Sequence, residues 1–199
     1  MKNRFGAKSI SSAAGSAGRQ SDAVRWPKAT LAGGCFWCLE AVYQEVKGIE
    51  RVISGYSGGS GDSPNFDKVH MTNTGHAEAV QITFDSEVIS YSKILEIFYS
   101  IHDPTTLNKQ GYDVGEEYRS VIFYHDAGQK KTAEEVTENY AAKIWSDPIV
   151  TQIVPYEKFW PAEDYHQNFY RDNPNIGYCR VIINPKLEKF NKQFKDLLK

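Results

Sequence analysis

Two cysteines stand three residues apart in GGCFWC, residues 33–38, where an apolar run meets a segment of helical spacing. A thiol in the first turn of a helix faces exposed N–H groups and the positive end of the helix dipole. Both favour the thiolate, the nucleophilic form, over the thiol, whose reference pKa is about 8.5. Cys35 is therefore a candidate nucleophile. Gly33 and Gly34 let the chain turn sharply and let a substrate approach the backbone, although the same residues also suit an ordinary turn beside a small buried cysteine. Cys38, one helical turn later, allows the pair to close into a disulfide once Cys35 has been oxidised or attacked. A zinc site would need a second pair of ligands, and no Cys or His pair with finger-like spacing occurs elsewhere. A thioredoxin-like disulfide exchange site competes more seriously, but Phe36 and Trp37 are bulky for a site that docks partner disulfides.

Other polar residues carry weaker signals. Glu78, in TGHAEAV, opens a strand after a glycine loop and can point into a cleft, although a solvated strand-end glutamate is the commoner role. Asp113 and Tyr118 lie in the turn-rich QGYDVGEEYRS. His166, among the aromatics of PAEDYHQNFY, reads as a hydrogen-bonded structural histidine.

These residues need elements to position them. KATLAGG reads as a short buried strand, and Phe36, Leu39, Val42, Tyr43 and Val46 fall on one helical face that Gly48 closes. RVISGYSGG and AVQITFD read as strands joined by a long loop dense in turn residues. Ser90 is a plausible N-cap for a helix with Ile94, Leu95, Phe98 and Ile101 on one stripe, and RSVIFYH follows as a strand. Two cover helices are expected: one over about 129–145 burying Ala133, Val136, Tyr140 and Ile144, and a last one burying Leu187, Phe190, Phe194 and Leu197. The order strand, helix, strand, strand, helix, strand predicts an α+β fold. Its form is a two-layer, ferredoxin-like (split β-α-β) sandwich with an added C-terminal helix and a loop-rich tail. Cys35 then sits between the carboxyl end of the first strand and the amino end of the first helix.

The 199 residues suit one catalytic domain over 25–199, preceded by a segment, 1–24, rich in Ser, Ala and Gly with four basic residues against one acidic. That segment reads as a disordered tail or, alternatively, an organelle transit peptide. The net charge of -2 gives no reason to expect nucleic acid or an anionic membrane as partner. Three cysteines are too few for a secreted disulfide scaffold, so a reducing compartment, the cytoplasm, is expected. No apolar stretch approaches the roughly 20 residues that span a bilayer.

Taken in order, GGCFWC, GYSGG, TGHAEAVQITFD, HDPTT, YRSVIFYH, EDYHQNFY and NPNIGYC resemble the peptide methionine sulfoxide reductase A family over about residues 28–190. The resemblance implies a cofactor-free, metal-free thiol reductase. Its substrate would be the S epimer of methionine sulfoxide, free or in damaged proteins, and thioredoxin its reductant. It implies Cys35 as catalytic cysteine, Phe36 and Trp37 as a ring pair for the substrate methyl group, Glu78 as the acid, Tyr118 as a ligand of the sulfoxide oxygen and Asp113 in support. Attack on a sulfoxide sulfur leaves a basic oxygen as leaving group, so a proton and a hydrogen-bond donor are needed there.

This sequence departs from the family pattern in three places. Phe66 stands where a second oxygen-binding tyrosine is usual, and Tyr112 and Glu117 replace the more usual Asn and Gln near Asp113. Cys38 is the expected resolving cysteine by helical spacing, with Cys179, in a segment that reads as running into a strand, as the alternative. Two other readings stand beside the reductase: a CxxC disulfide oxidoreductase, and a methionine-binding module without turnover. A monomer is the default.

Overall fold

The computed structural model describes residues 26–61 and 63–199, so the reading of a tail over 1–24 lies outside the described residues. Six strands form the main sheet: β1 (Lys28–Gly33), β2 (Ile49–Ser57), β3 (Ala77–Phe84), β4 (Ser120–Tyr124), β5 (Gln152–Pro155) and β6 (Phe159–Pro161), in the order β5-β4-β1-β3-β2-β6. The four inner strands pair antiparallel throughout. Helix α1 (Phe36–Gln44) joins β1 to β2, which flank β3, and α3 (Tyr91–Ile101) joins β3 to β4 across β1. This is the expected split β-α-β arrangement.

Strand periodicity distributes the core. Leu31, Val80, Ile82, Phe84 and Ile122 face the helices and pack with Phe36, Leu39, Val42, Leu95 and Phe98. Ala32, Ala77, Ala79, Val121 and Phe123 point to the other face and form a smaller cluster. Glu78 follows Val80 and Ile82 by the same alternation and so points to the helix face. Ser90 caps α3, its Oγ accepting from Lys93 N at 3.2 Å. At the other end of α3, His102 donates Nδ1–H to Phe98 O at 2.6 Å and accepts at Nε2 from Ser120 Oγ at 2.8 Å.

The structure differs from the sequence reading in four places. The long loop between β2 and β3 contains a helix, α2 (Phe66–Met71), with Asn65 as N-cap accepting from Lys68 N. Its single buried apolar residue, Val69, is too little periodic signal to see in sequence. Cys179 does not enter a strand: residues Cys179–Ile183 form a π-helical turn leading into α5 (Asn184–Gln193). Apolar spacing alone does not separate a short buried strand from a short buried helix. The helix α4 (Ala127–Val136) continues through a π turn, which rotates Ile144 off the core face to 46% exposure. The aromatic-rich segment after α4 supplies the two edge strands, β5 parallel to β4 and β6 antiparallel to β2. Beyond α5, the chain returns to α1, with Lys47 N donating to Leu197 O and Lys199 N to Glu45 O.

Candidate active site

β1 ends in Gly33 and Gly34, and the turn into α1 needs both. Gly34 has φ +85°, and a Cβ there would collide with the Gln110 side chain; a Cβ on Gly33 would meet Phe98 at 2.7 Å. Cys35 is the N-cap residue of α1 and is 5% exposed, so the sequence reading of its position holds. The reading of its charge does not. Phe36 N–H, an unpaired amide of the first turn, donates to Glu78 Oε2 at 2.9 Å, so this donor serves the carboxylate rather than the sulfur. Burial, the hydrogen bond with Cys38 and the negative charge of Glu78 then raise the Cys35 pKa, against a lowering contribution from Tyr178. Cys38 is buried in the next turn, where the hydrogen bond from Cys35, together with Lys186 and Tyr178, brings it down to about 7 against burial. Of the two thiols, Cys38 therefore gives up its proton more readily and Cys35 keeps its own.

Glu78, 2% exposed, has its second oxygen, Oε1, 3.0 Å from His70 Nε2. Burial raises its pKa, and His70 and the Phe36 amide oppose the rise. His70 Nε2 also lies 3.2 Å from the Tyr118 hydroxyl, and Nδ1 donates to Phe66 O at 2.8 Å. Burial and the charges of Glu78 and Asp113 keep Tyr118 protonated far above neutral pH, leaving it a hydrogen-bond donor. Asp113 accepts from the Tyr178 hydroxyl at 2.8 Å, and burial together with the neighbouring charges of Cys35 and Cys38 keeps Tyr178 protonated. Tyr112, beside Asp113, is 90% exposed and takes no part.

Rings enclose the apolar side of the site. Trp37 stacks on Phe169 at 3.6 Å and meets the edge of Tyr178 at 5.7 Å, while Phe36 is fully buried against Tyr56 and His166. His166 is not the hydrogen-bonded histidine expected. Both its ring nitrogens are buried without a partner, among Phe36, Trp37, Phe66 and Tyr165, and burial lowers its pKa. Glu163 pins the entrance, accepting from Phe66 N at 3.0 Å and from Tyr56 Oη at 3.1 Å. Cys179 is fully buried behind Cys38, whose charge contributes to raising its pKa after burial.

The structure thus brings Cys35, Cys38, Phe36, Trp37, Phe66, Glu78, Asp113 and Tyr118 into one cluster, with Cys179 at its back. Sequence reasoning missed His70, Glu163, Phe169, Tyr178 and Lys186. Glu163, Phe169 and Tyr178 lie inside segments singled out by motif, EDYHQNFY and NPNIGYC; His70 and Lys186 have no such marker. Among the described residues no group of three or more His, Cys, Asp or Glu is placed to hold a metal ion.

A profile of the peptide methionine sulfoxide reductase family matches residues 27–198. Peptide methionine sulfoxide reductase MsrA of Leptospira borgpetersenii is 59% identical over 165 residues, which cover 83% of this chain and 93% of that protein. Among solved structures, the reduced form of Mxr1 from Saccharomyces cerevisiae superposes with a TM-score of 0.74 at 35% identity, covering 79% of this chain and 91% of the other. Mxr1 in complex with Trx2 aligns at a TM-score of 0.53 and 27% identity over 74% of this chain and 87% of that one. With a profile match across nearly all the described residues and a relative this similar over nine-tenths of its own length, the chain belongs to the peptide methionine sulfoxide reductase family.

Proposed function

We propose that Cys35 carries out the reduction for which the family is named, on the S epimer of methionine sulfoxide, free or in proteins. The observation that carries this reading is the placement of Glu78: a buried carboxyl fixed by the amide next to Cys35, with an imidazole at its other oxygen and a phenol on that imidazole. Cys35 passes its proton to Cys38 and attacks the sulfoxide sulfur. As the sulfur–sulfur bond forms, the S=O electrons move to oxygen, which takes a proton from Glu78 and a hydrogen bond from Tyr118. Collapse moves the hydroxyl to Cys35 and releases methionine: the substrate sulfur is reduced by two electrons, and Cys35 is oxidised to the sulfenic acid. Trp37, with Phe36 beneath it, offers the substrate methyl group an apolar wall, and Asp113 fixes Tyr178 over the two sulfurs.

Cys38 then attacks the sulfenic sulfur, water leaves, and a Cys35–Cys38 disulfide remains. Its pKa near 7 and its contact with Cys35 favour it over Cys179, which burial holds as a thiol. A thioredoxin reopens the disulfide; the Mxr1 complex with Trx2 supports this partner. No helix among the described residues is long and apolar enough to cross a membrane, and we place the protein in the cytoplasm as a monomer that needs no cofactor.

The test mixes fully reduced protein with each resolved epimer of a methionine sulfoxide substrate without external reductant. About one methionine per protein from the S epimer alone, with two thiols lost, is the expected result. No methionine from either epimer would sink the reading and turn attention to disulfide reduction or methionine binding. Cys38→Ser should leave a stable sulfenic acid after one turnover; its rapid loss as a Cys35–Cys179 disulfide would reassign the resolving role.

A further inference from the structure

Phe66 and His70 lie one turn apart on α2 with their rings 3.9 Å apart. The phenyl ring of Phe66 brings no hydroxyl to the departing oxygen, and the Phe36 amide on Glu78 Oε2 favours the carboxylate, which has no proton to give. His70 meets both shortages. A carbonyl oxygen only accepts, so the 2.8 Å contact with Phe66 O fixes a hydrogen on Nδ1. That leaves Nε2 facing Glu78 Oε1 at 3.0 Å, a distance at which a bare ring nitrogen and a carboxylate oxygen would oppose lone pair to lone pair. One proton must lie between them.

We infer that His70 stores, on Nε2, the proton that Glu78 delivers to the sulfoxide oxygen, in place of the hydroxyl absent at Phe66. The inference rests on the roles given above to Cys35 and Glu78. His70 is a positioning residue, since it acts through Glu78. In the balanced step, Cys35 bonds to the substrate sulfur while its own proton goes to Cys38. The single proton between the two groups passes from Nε2 to Glu78, which delivers it to the oxygen as the S=O electron pair moves there, so Glu78 ends as the carboxylate it began as. His70 ends neutral, and the hydroxyl transfers to Cys35 as methionine leaves. The groups facing the imidazole are Glu78 from β3, Tyr118 and Glu117 from the turn after the short hairpin at 109–114, the Phe66 carbonyl from α2 itself, and His166 from the C-terminal arm. Burial opposes protonation of His70, but Glu78, the Phe66 carbonyl and Glu117 outweigh it, so the pKa stands above its usual value.

The experiment follows single-turnover methionine release by the full chain, without reductant, across about pH 5.5–8.5. Wild type should lose rate as pH rises through the raised His70 pKa. His70→Gln, which can hydrogen-bond Glu78 without titrating, should be slower by roughly ten- to a hundredfold at saturating substrate. Its half-saturating concentration should change little, and its alkaline fall should leave the histidine range. His70→Ala should recover rate when imidazole is added, and Phe66→Tyr in the His70→Gln background should restore part of the loss. A His70→Gln protein with the wild-type rate and pH profile would overturn the inference, as would the absence of rescue by both imidazole and Phe66→Tyr. Wild-type protein that releases no methionine would instead remove the reading on which it rests.

Discussion

Glu78 sits at 2% exposure with a different donor on each oxygen, and the two pull in different directions. The Phe36 amide stabilises the ionised form, while burial stabilises the acid. Glu78→Gln keeps the shape and can keep both contacts, but it cannot give a proton. Single-turnover methionine release should fall by about 10²–10⁴-fold, the range for loss of a general acid. The denaturation midpoint should hold or rise, because a buried charge is removed together with its desolvation cost. A loss of less than about threefold would move the acid role to Tyr118. The place of Cys35, where a strand meets a helix, was legible in sequence by itself, whereas Glu78 read alone was an ordinary strand-end glutamate and stood out only through the family resemblance carried by TGHAEAV. His70 was legible in neither way: a single histidine in a loop rich in turn residues has no partner within hydrogen-bonding reach until β3 and the Tyr118 turn are folded around it.

At the scale of elements, α3 is tied to the sheet at one end by His102. Both ring nitrogens are satisfied, and burial pulls the pKa down to about 4 from the usual 6.5. The sign follows directly. The folded state holds the neutral ring, so its contribution is fully present above the unfolded pKa of about 6.5 and is lost as pH falls toward about 4. The gap corresponds to about 3 kcal/mol across that window. Urea unfolding at a series of pH values should show wild type losing stability over this range, with His102→Gln losing about that much less. Equal slopes in the two proteins would assign the acid sensitivity to other groups. The α3 stripe and its Ser90 cap were visible in sequence because eleven residues carry three turns of periodicity. By contrast, α2 has six residues and one buried side chain, and the π turns at 137–141 and 179–183 arise from packing rather than from any residue pattern.

Across the whole molecule, the ferredoxin-like core supplies Cys35, Glu78 and Tyr118, but the site is completed by the last forty residues folding back over α1. Glu163 holds the start of α2, Phe169 and Tyr178 close on Trp37, and α5 brings Lys186 to Cys38. The sequence places each of these on a short aromatic-rich or helical segment, but the return of that arm to the N-terminal helix depends on contacts more than a hundred residues apart, such as Asn168 N donating to Glu40 Oε1. The arm's chemical consequence is the charge on Cys38. Lys186→Met should lift the Cys38 pKa from about 7 part of the way toward the ordinary thiol range, since the hydrogen bond from Cys35 remains, leaving about two- to threefold less thiolate at neutral pH. Two rates measure it: the pH dependence of Cys38 alkylation in a Cys179→Ser background, and disulfide formation after a single oxidising turnover. The first should shift alkaline and the second should slow, while methionine release keeps most of its rate, because Lys186 acts on the second sulfur. An unshifted alkylation profile would trace the lowered Cys38 pKa to its hydrogen bond with Cys35 alone, and resolution would then depend on the two sulfurs and not on the arm that covers them.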